Sequence, residues 1–201
     1  TSSTQWEIGA LSIKAAVNSA PTITDGATVT LTGTNENTTS SGTAVSALLT
    51  AAGYADVDGG SSGVAITSKA GNGTWQYSTD GVTWAGFGAV SSTNALLLTS
   101  TTQVRYIPDA NNGETATFGF KAWDQTSGTA STNAVPSYAT TASSGGTTAF
   151  SSGSATGSMT VSPVNDAPVL ADTALALNTI EDAGVPSGTV RITGGSITGG
   201  T

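Results

Sequence analysis

The sequence predicts an all-β protein: an antiparallel sandwich with one short helical turn and one long polar excursion. Three observations point there. Trp, Tyr, Phe, Val, Ile and Thr fall in short alternating runs, the period of half-buried strands. Gly, Asn and Asp punctuate those runs as turn residues. The heptapeptide VNSAPTI (Val17 to Ile23) returns, altered, as VNDAPVL (Val164 to Leu170), so the chain reads as a module bounded by two junctions.

In order, residues 8–17 form a strand-like run that ends at the first junction. Residues 28–33, TVTLTG, alternate as a strand. In 44–54 Val45, Leu48 and Leu49 recur at i, i+3, i+4, the spacing of one or two helical turns. In GTWQYSTDGVTW, Trp75 and Tyr77 share a face ahead of Asp80-Gly81, which predicts a two-residue hairpin turn with both residues at positive φ. Residues 95–99, 103–109 and 115–124 are further strands, and Phe118, Phe120 and Ala122 share a face of the last; Trp123 points the other way. Residues 125–157 are almost all Ser, Thr, Ala and Gly, a length that predicts a hairpin or a functional excursion rather than a structureless loop. Residues 158–164 close the module, and 175–180 open another. The domain reading is 1–17 as a terminal strand, 18–164 as the main sandwich, and 165–201 as linker and the start of a next module.

Composition excludes several functions. Only 9% of the 201 residues are charged, thirteen acidic against five basic, for a net charge of −8. Nucleic-acid binding needs a basic footprint, and an anionic membrane surface attracts cations, so neither partner is expected. No run is long and apolar enough for a transmembrane helix, so no membrane insertion is expected either. Disorder would bring few aromatic and β-branched residues, contrary to the alternating runs. The chain has no Cys and no His, and the bases open to a nucleophilic Ser reduce to Lys14, Lys69 and Lys121. The expectation is that it is not an enzyme.

The few acids sit at expected loop ends: Glu36 in NEN, Asp56 and Asp58 in DVDGG, Asp109 in PDANNGE, Asp124 in AWDQTSG, Asp166 in VNDAP, Glu181 and Asp182 in IED. Ca²⁺ takes six to eight oxygens from carboxylates, carbonyls and water. Asp56 and Asp58 at i, i+2 before two glycines can turn into one site. Taken singly, each acid also fits an ordinary cap or turn.

Together these motifs resemble the cadherin-like, immunoglobulin-like repeats of giant bacterial surface adhesins of the RTX class. VNDAP is similar to that family's inter-domain linker, DVDGG to its acidic element, FKAWDQTSG to its strand ending in a calcium-ligating Asp, and NEN and IED to its Glu element. The likeness covers roughly residues 18–182 and is most specific over 73–128. It implies a calcium-stabilised sandwich on the bacterial cell surface, extracellular, acting in cell adhesion and biofilm. It implies calcium ligands at Glu36, Asp56, Asp58, Asp124, Asn165, Asp166, Glu181 and Asp182, with Asp109 a further candidate. Two positions depart: Ser19 stands where the second junction has Asp166, and Asn37 where IED has Asp182, which weakens a cation at the first junction. Such adhesins also carry calcium-dependent peptide-binding domains. Trp84, Trp123, Asp124 and Tyr138 are therefore candidates to grip a peptide, protein or glycan ligand on another cell. The alternatives are a passive calcium-stiffened spacer contacting only neighbouring modules, and a carbohydrate-binding module.

Overall fold

The computed structural model describes residues 17–167. In chain order the elements are β1 (Ala27–Thr30), β2 (Thr34–Asn35), β3 (Thr43–Ala44), α1 (Val45–Ala51), β4 (Gly63–Ala70), β5 (Thr74–Ser78), β6 (Ala85–Gly86), β7 (Ala95–Thr99), β8 (Gln103–Ile107), β9 (Glu114–Trp123), β10 (Tyr138–Ala139) and β11 (Ala155–Ser162). The chain divides into two units, Thr1–Asn165 and Asp166–Thr201. The strands named here, all among the described residues, belong to the first. The expected strands over 8–17 (except Val17) and 175–180 lie outside the described residues.

Two sheets form. A seven-stranded sheet runs β1-β11-β9-β4-β7-β10, with β2 also on β11; a four-stranded sheet runs β3-β8-β5-β6. Between them lies one core. Trp75 stands at its centre, with Tyr106 and Phe118 each 4.8 Å away between ring centroids and Phe87 stacked at 6.0 Å. Aromatic pairs at such spacings add to the area they bury. Helix α1 turns Val45, Leu48 and Leu49 into the core, as its spacing predicts.

The pairing is antiparallel throughout the named strands except at one edge. β1 and β2 both run parallel to β11, with Ala27 opposite Ala155 and Thr34 opposite Val161. This corrects the purely antiparallel expectation. Parallel neighbours need a long connection, and first and last strands have the whole domain between them. The consequence is directional. The chain enters at the end where β1 and β11 begin and leaves beyond β11 at the opposite end. Junction residues Val17 to Ala20 and Pro163 to Asn165 therefore lie at opposite poles, called here the entry and exit poles.

The polar excursion is a structural layer. On the outer face of the seven-stranded sheet, Ala65, Ala95, Leu97 and Trp123 are buried beneath Ala149 and Phe150, with Ala130 and Ala139 packed alongside. Backbone bonds tie the layer down: Asp124 N–H to Ala149 O at 3.1 Å, Ser151 N–H to Ala122 O at 3.0 Å, and two at Leu97, whose O accepts Ser131 N–H and whose N–H donates to Ser137 O, both 3.0 Å. Covering both faces explains why β4 and β7 each carry four consecutive buried residues.

The β5–β6 connection also differs from expectation. Tyr77 pairs with Ala85, so the loop is longer than two residues, and Asp80 is not among the residues with positive φ, whereas Gly81 is, at 75°. Asp80 instead caps the loop. Its Oδ1 accepts from Val82 N–H (2.8 Å), Thr83 N–H (2.7 Å) and the Ser78 hydroxyl (2.9 Å).

Candidate functional site

The strand directions sort the acidic residues into two groups. Gly63 at the start of β4 pairs with Trp123 at the end of β9, which brings the loop 56–62 and Asp124 to the entry pole. β2 ends beside Ser162, and Thr74 pairs with Ile107, which puts Glu36, Asp109 and Asn165 at the exit pole.

At the entry pole the junction itself is clamped by the acids. Asn18 Nδ2 donates to Asp124 Oδ2 at 2.9 Å and to Thr148 O at 3.2 Å, and Ser19 N–H donates to Asp58 Oδ2. Asp124 is 5% exposed; Gln125 follows it at φ 65°, and this tight turn lets Thr126 donate both its N–H (2.8 Å) and its hydroxyl (2.6 Å) to Asp124 Oδ1. Asp56 Oδ1 accepts Asp58 N–H at 3.0 Å, and the Tyr54 hydroxyl lies 3.4 Å from Asp56 Oδ2. Burial pushes the Tyr54 phenol up to about 12, and the charges of Asp56 and then Asp124 add to it. One phenol thus feels both carboxylates.

At the exit pole Glu36 is 2% exposed. Its Oε1 accepts Val164 N–H, while its Oε2 is buried with no partner among the described residues. A buried carboxylate oxygen left unpaired is costly, and its charge calls for a cation. Beside it lies a cavity of about 130 Å³ lined by Glu36, Asn37, Thr39, Ile107, Pro108 and Ala110. Asp109, half-buried, accepts Asn111 N–H at 3.2 Å, an ordinary turn cap. Asn165 and Asp166 are exposed. Glu181 and Asp182 lie outside the described residues.

No three acidic side chains converge on one point among the described residues. Each pole offers fewer carboxylates than Ca²⁺ takes, supplemented by carbonyl and amide oxygens. Glu36 passes the test of fit through its orphaned oxygen; Asp124 is already satisfied by protein donors.

The aromatic candidates are scattered rather than gathered. Trp123 is 1% exposed, with its indole N–H donating to Ser127 O at 2.7 Å; the covering layer takes the face that a ligand would need. Tyr138 is half-buried, and its hydroxyl donates to Phe87 O at 3.1 Å. Trp84 lies over the four-stranded sheet with the Arg105 guanidinium 4.0 Å from its ring centroid. None of these three lines the cavity of about 430 Å³ beside the entry pole, whose walls include Asn18, Thr126, Ser143, Thr147, Thr148 and Phe150. Asn18 was not among the expected ligands. Its signal was positional: in VNSAP it holds the place of Asn165 in VNDAP.

Gly59 to Gly63 has the spacing G-x-S-x-G, but the exposed Ser61 leads into β4 rather than into a helix, and the chain has no histidine. That is not the strand-to-helix elbow of a hydrolase. Among the described residues no helix is long and apolar enough to cross a membrane. Comparison with protein-family models, curated proteins and solved structures gives no match.

Proposed function

We propose that this chain contains an extracellular adhesin module, immunoglobulin-like or cadherin-like in its sandwich, whose poles hold Ca²⁺ where successive modules join. The observation that carries the reading is the sorting of acids to the two opposite poles where the chain enters and leaves. A module with both ends at one pole could not be threaded into a rod. Val17 (58% exposed) and Val57 (85%) rim the entry pole and Val164 (40%) the exit pole, apolar surface suited to a neighbouring module. Asp56 and Asp58 would hold the ion at the entry pole, beside Asp124, whose oxygens already accept from Asn18 and Thr126, and Glu36 and Asn165 would hold it at the exit pole. The ion supplies positive charge that offsets repulsion among carboxylates and stiffens the joint.

The test is calorimetric Ca²⁺ titration of the chain with Asp56→Ala, Asp58→Ala and the double variant. Shared ligation makes the losses non-additive. Calcium binding that falls as the plain sum of the single losses would sink the shared site.

A second reading, calcium-dependent ligand binding, rests on the cavity at the entry pole. Its hydroxyl-rich walls and the Phe150 ring suit a carboxylate- or hydroxyl-bearing peptide or glycan. Binding of a free-acid peptide that vanishes on amidation and on chelation supports it; equal binding in all conditions favours the spacer.

A further inference from the structure

We propose that Asn112 is a site of spontaneous deamidation that adds a carboxylate to the exit pole, and that the fold protects the chemically equivalent Asn72. Both asparagines precede glycine, the pairing in which no side chain obstructs attack by the following backbone nitrogen. In the reaction, Gly113 N attacks Asn112 Cγ, the side-chain nitrogen leaves as ammonia with the proton that Gly113 N gives up, and a cyclic imide forms. Water then opens either carbonyl, leaving aspartate or isoaspartate. The net change is one water consumed and one ammonia released.

The structure treats the two sites differently. At Asn72 the attacking nitrogen is occupied: Gly73 N–H donates to the Tyr106 hydroxyl at 2.6 Å. That hydroxyl donates to Glu114 Oε1 at 2.5 Å, and Glu114 Oε2 accepts Asn72 N–H at 2.9 Å. The loop closes on itself. Asn112 and Gly113, by contrast, are exposed in the turn between β8 and β9. The hydrogen bonds of that turn engage Asp109 and Asn111, and Gly113 N–H donates to no backbone acceptor outside the sheet ladders among the described residues.

Location gives the modification its consequence. Gly113 packs against the exit strand: a Cβ there would come 2.5 Å from Pro163 Cδ. The next residue, Val164, donates its N–H to Glu36. A carboxylate formed at 112 therefore adjoins the segment that donates to Glu36 and carries Asn165. Resting on the calcium reading above, the converted chain holds the exit-pole cation more tightly, so the joint stiffens as the protein ages.

The test is peptide mass spectrometry after incubation of the folded chain in warm, mildly alkaline buffer. Trypsin separates the sites, because Asn112 falls in peptide 106–121 and Asn72 in peptide 70–105. The expected result is conversion at Asn112, with Asn72 slower by about tenfold or more, since its amide must first be released from a hydrogen bond. In denaturant the two rates converge. Asn112→Gln abolishes the mass increase in its peptide, which separates it from Asn111. Conversion of Asn72 as fast as Asn112 in the folded chain, or of Asn112 only after unfolding, overturns the proposal. Calcium titration of Asn112→Asp separately tests the consequence. Tighter binding supports the coupling; unchanged binding to a chain that still binds calcium refutes it. A wild-type chain that binds no calcium removes the coupling and leaves the mass-spectrometric result to decide the site.

Discussion

Replacing Phe150 by Ala isolates the role of the polar excursion. Phe150 is 5% exposed and bridges to Trp123 over Leu97, Ala65 and Ala95. Truncating a core Phe costs about 3–5 kcal/mol. Here the covering side is built from small residues that can partly collapse, which places the loss at the lower end, about 3 kcal/mol. For a domain of this size each kcal/mol moves the melting point by roughly 2–4 °C, so Phe150→Ala should melt about 6–12 °C lower. Urea unfolding should give a lower midpoint at unchanged slope, and proteolysis under native conditions should open bonds within 125–154 first. A loss under about 1 kcal/mol with unchanged cleavage would refute the claim that this layer is docked, since that is the scale of an ordinary surface substitution.

Two further expectations concern pH. Hydrogen bonds from the backbone of Val82, then Thr83, hold the Asp80 carboxyl well below the usual range. A depressed folded value means its stabilisation is present above about pH 4 and is lost as pH falls through the folded value; Asp80→Asn should flatten the acid limb of the stability curve, and an identical limb would contradict the cap. Tyr54, raised to about 12 chiefly by burial, stabilises the fold below about pH 10 and loses that contribution as pH rises toward its folded value. Calcium beside Asp56 and Asp124 removes the part due to their charges, so the Tyr54 absorbance titration, identified against Tyr54→Phe, should move to lower pH. A midpoint indifferent to calcium would place the ion elsewhere.

How much of this was legible depended on whether a face stayed open to water. β7 occupies the residues expected of it, and α1 buries the three side chains its spacing picks out. β4 escaped because its covered faces erase alternation: Gly63 to Ile66 are all buried, and Thr67, Ser68 and Lys69 follow without apolar period. Strand alternation turns Trp123 away from Phe118 and Phe120, but its partner layer is mostly Ser, Thr, Ala and Gly, a composition that does not read as core. Asp80 carried a genuine turn signal; the side chain simply caps the loop instead of taking the left-handed conformation. The polar sorting of the acids is legible only as loop ends, because the β4–β9 and β5–β8 pairings decide which loops share a pole and the parallel edge on β11 decides that the chain enters and leaves at opposite ones.

The most direct test of the central claim is the melting curve of this chain in chelator and in millimolar Ca²⁺. An ion at one hundred times its dissociation constant that binds only the folded state contributes about 2.7 kcal/mol. The account predicts a melting point about 5–10 °C higher in calcium, with much of the rise lost in Glu36→Gln, which fills the same space without the charge. Superimposable curves for the wild-type chain would contradict it.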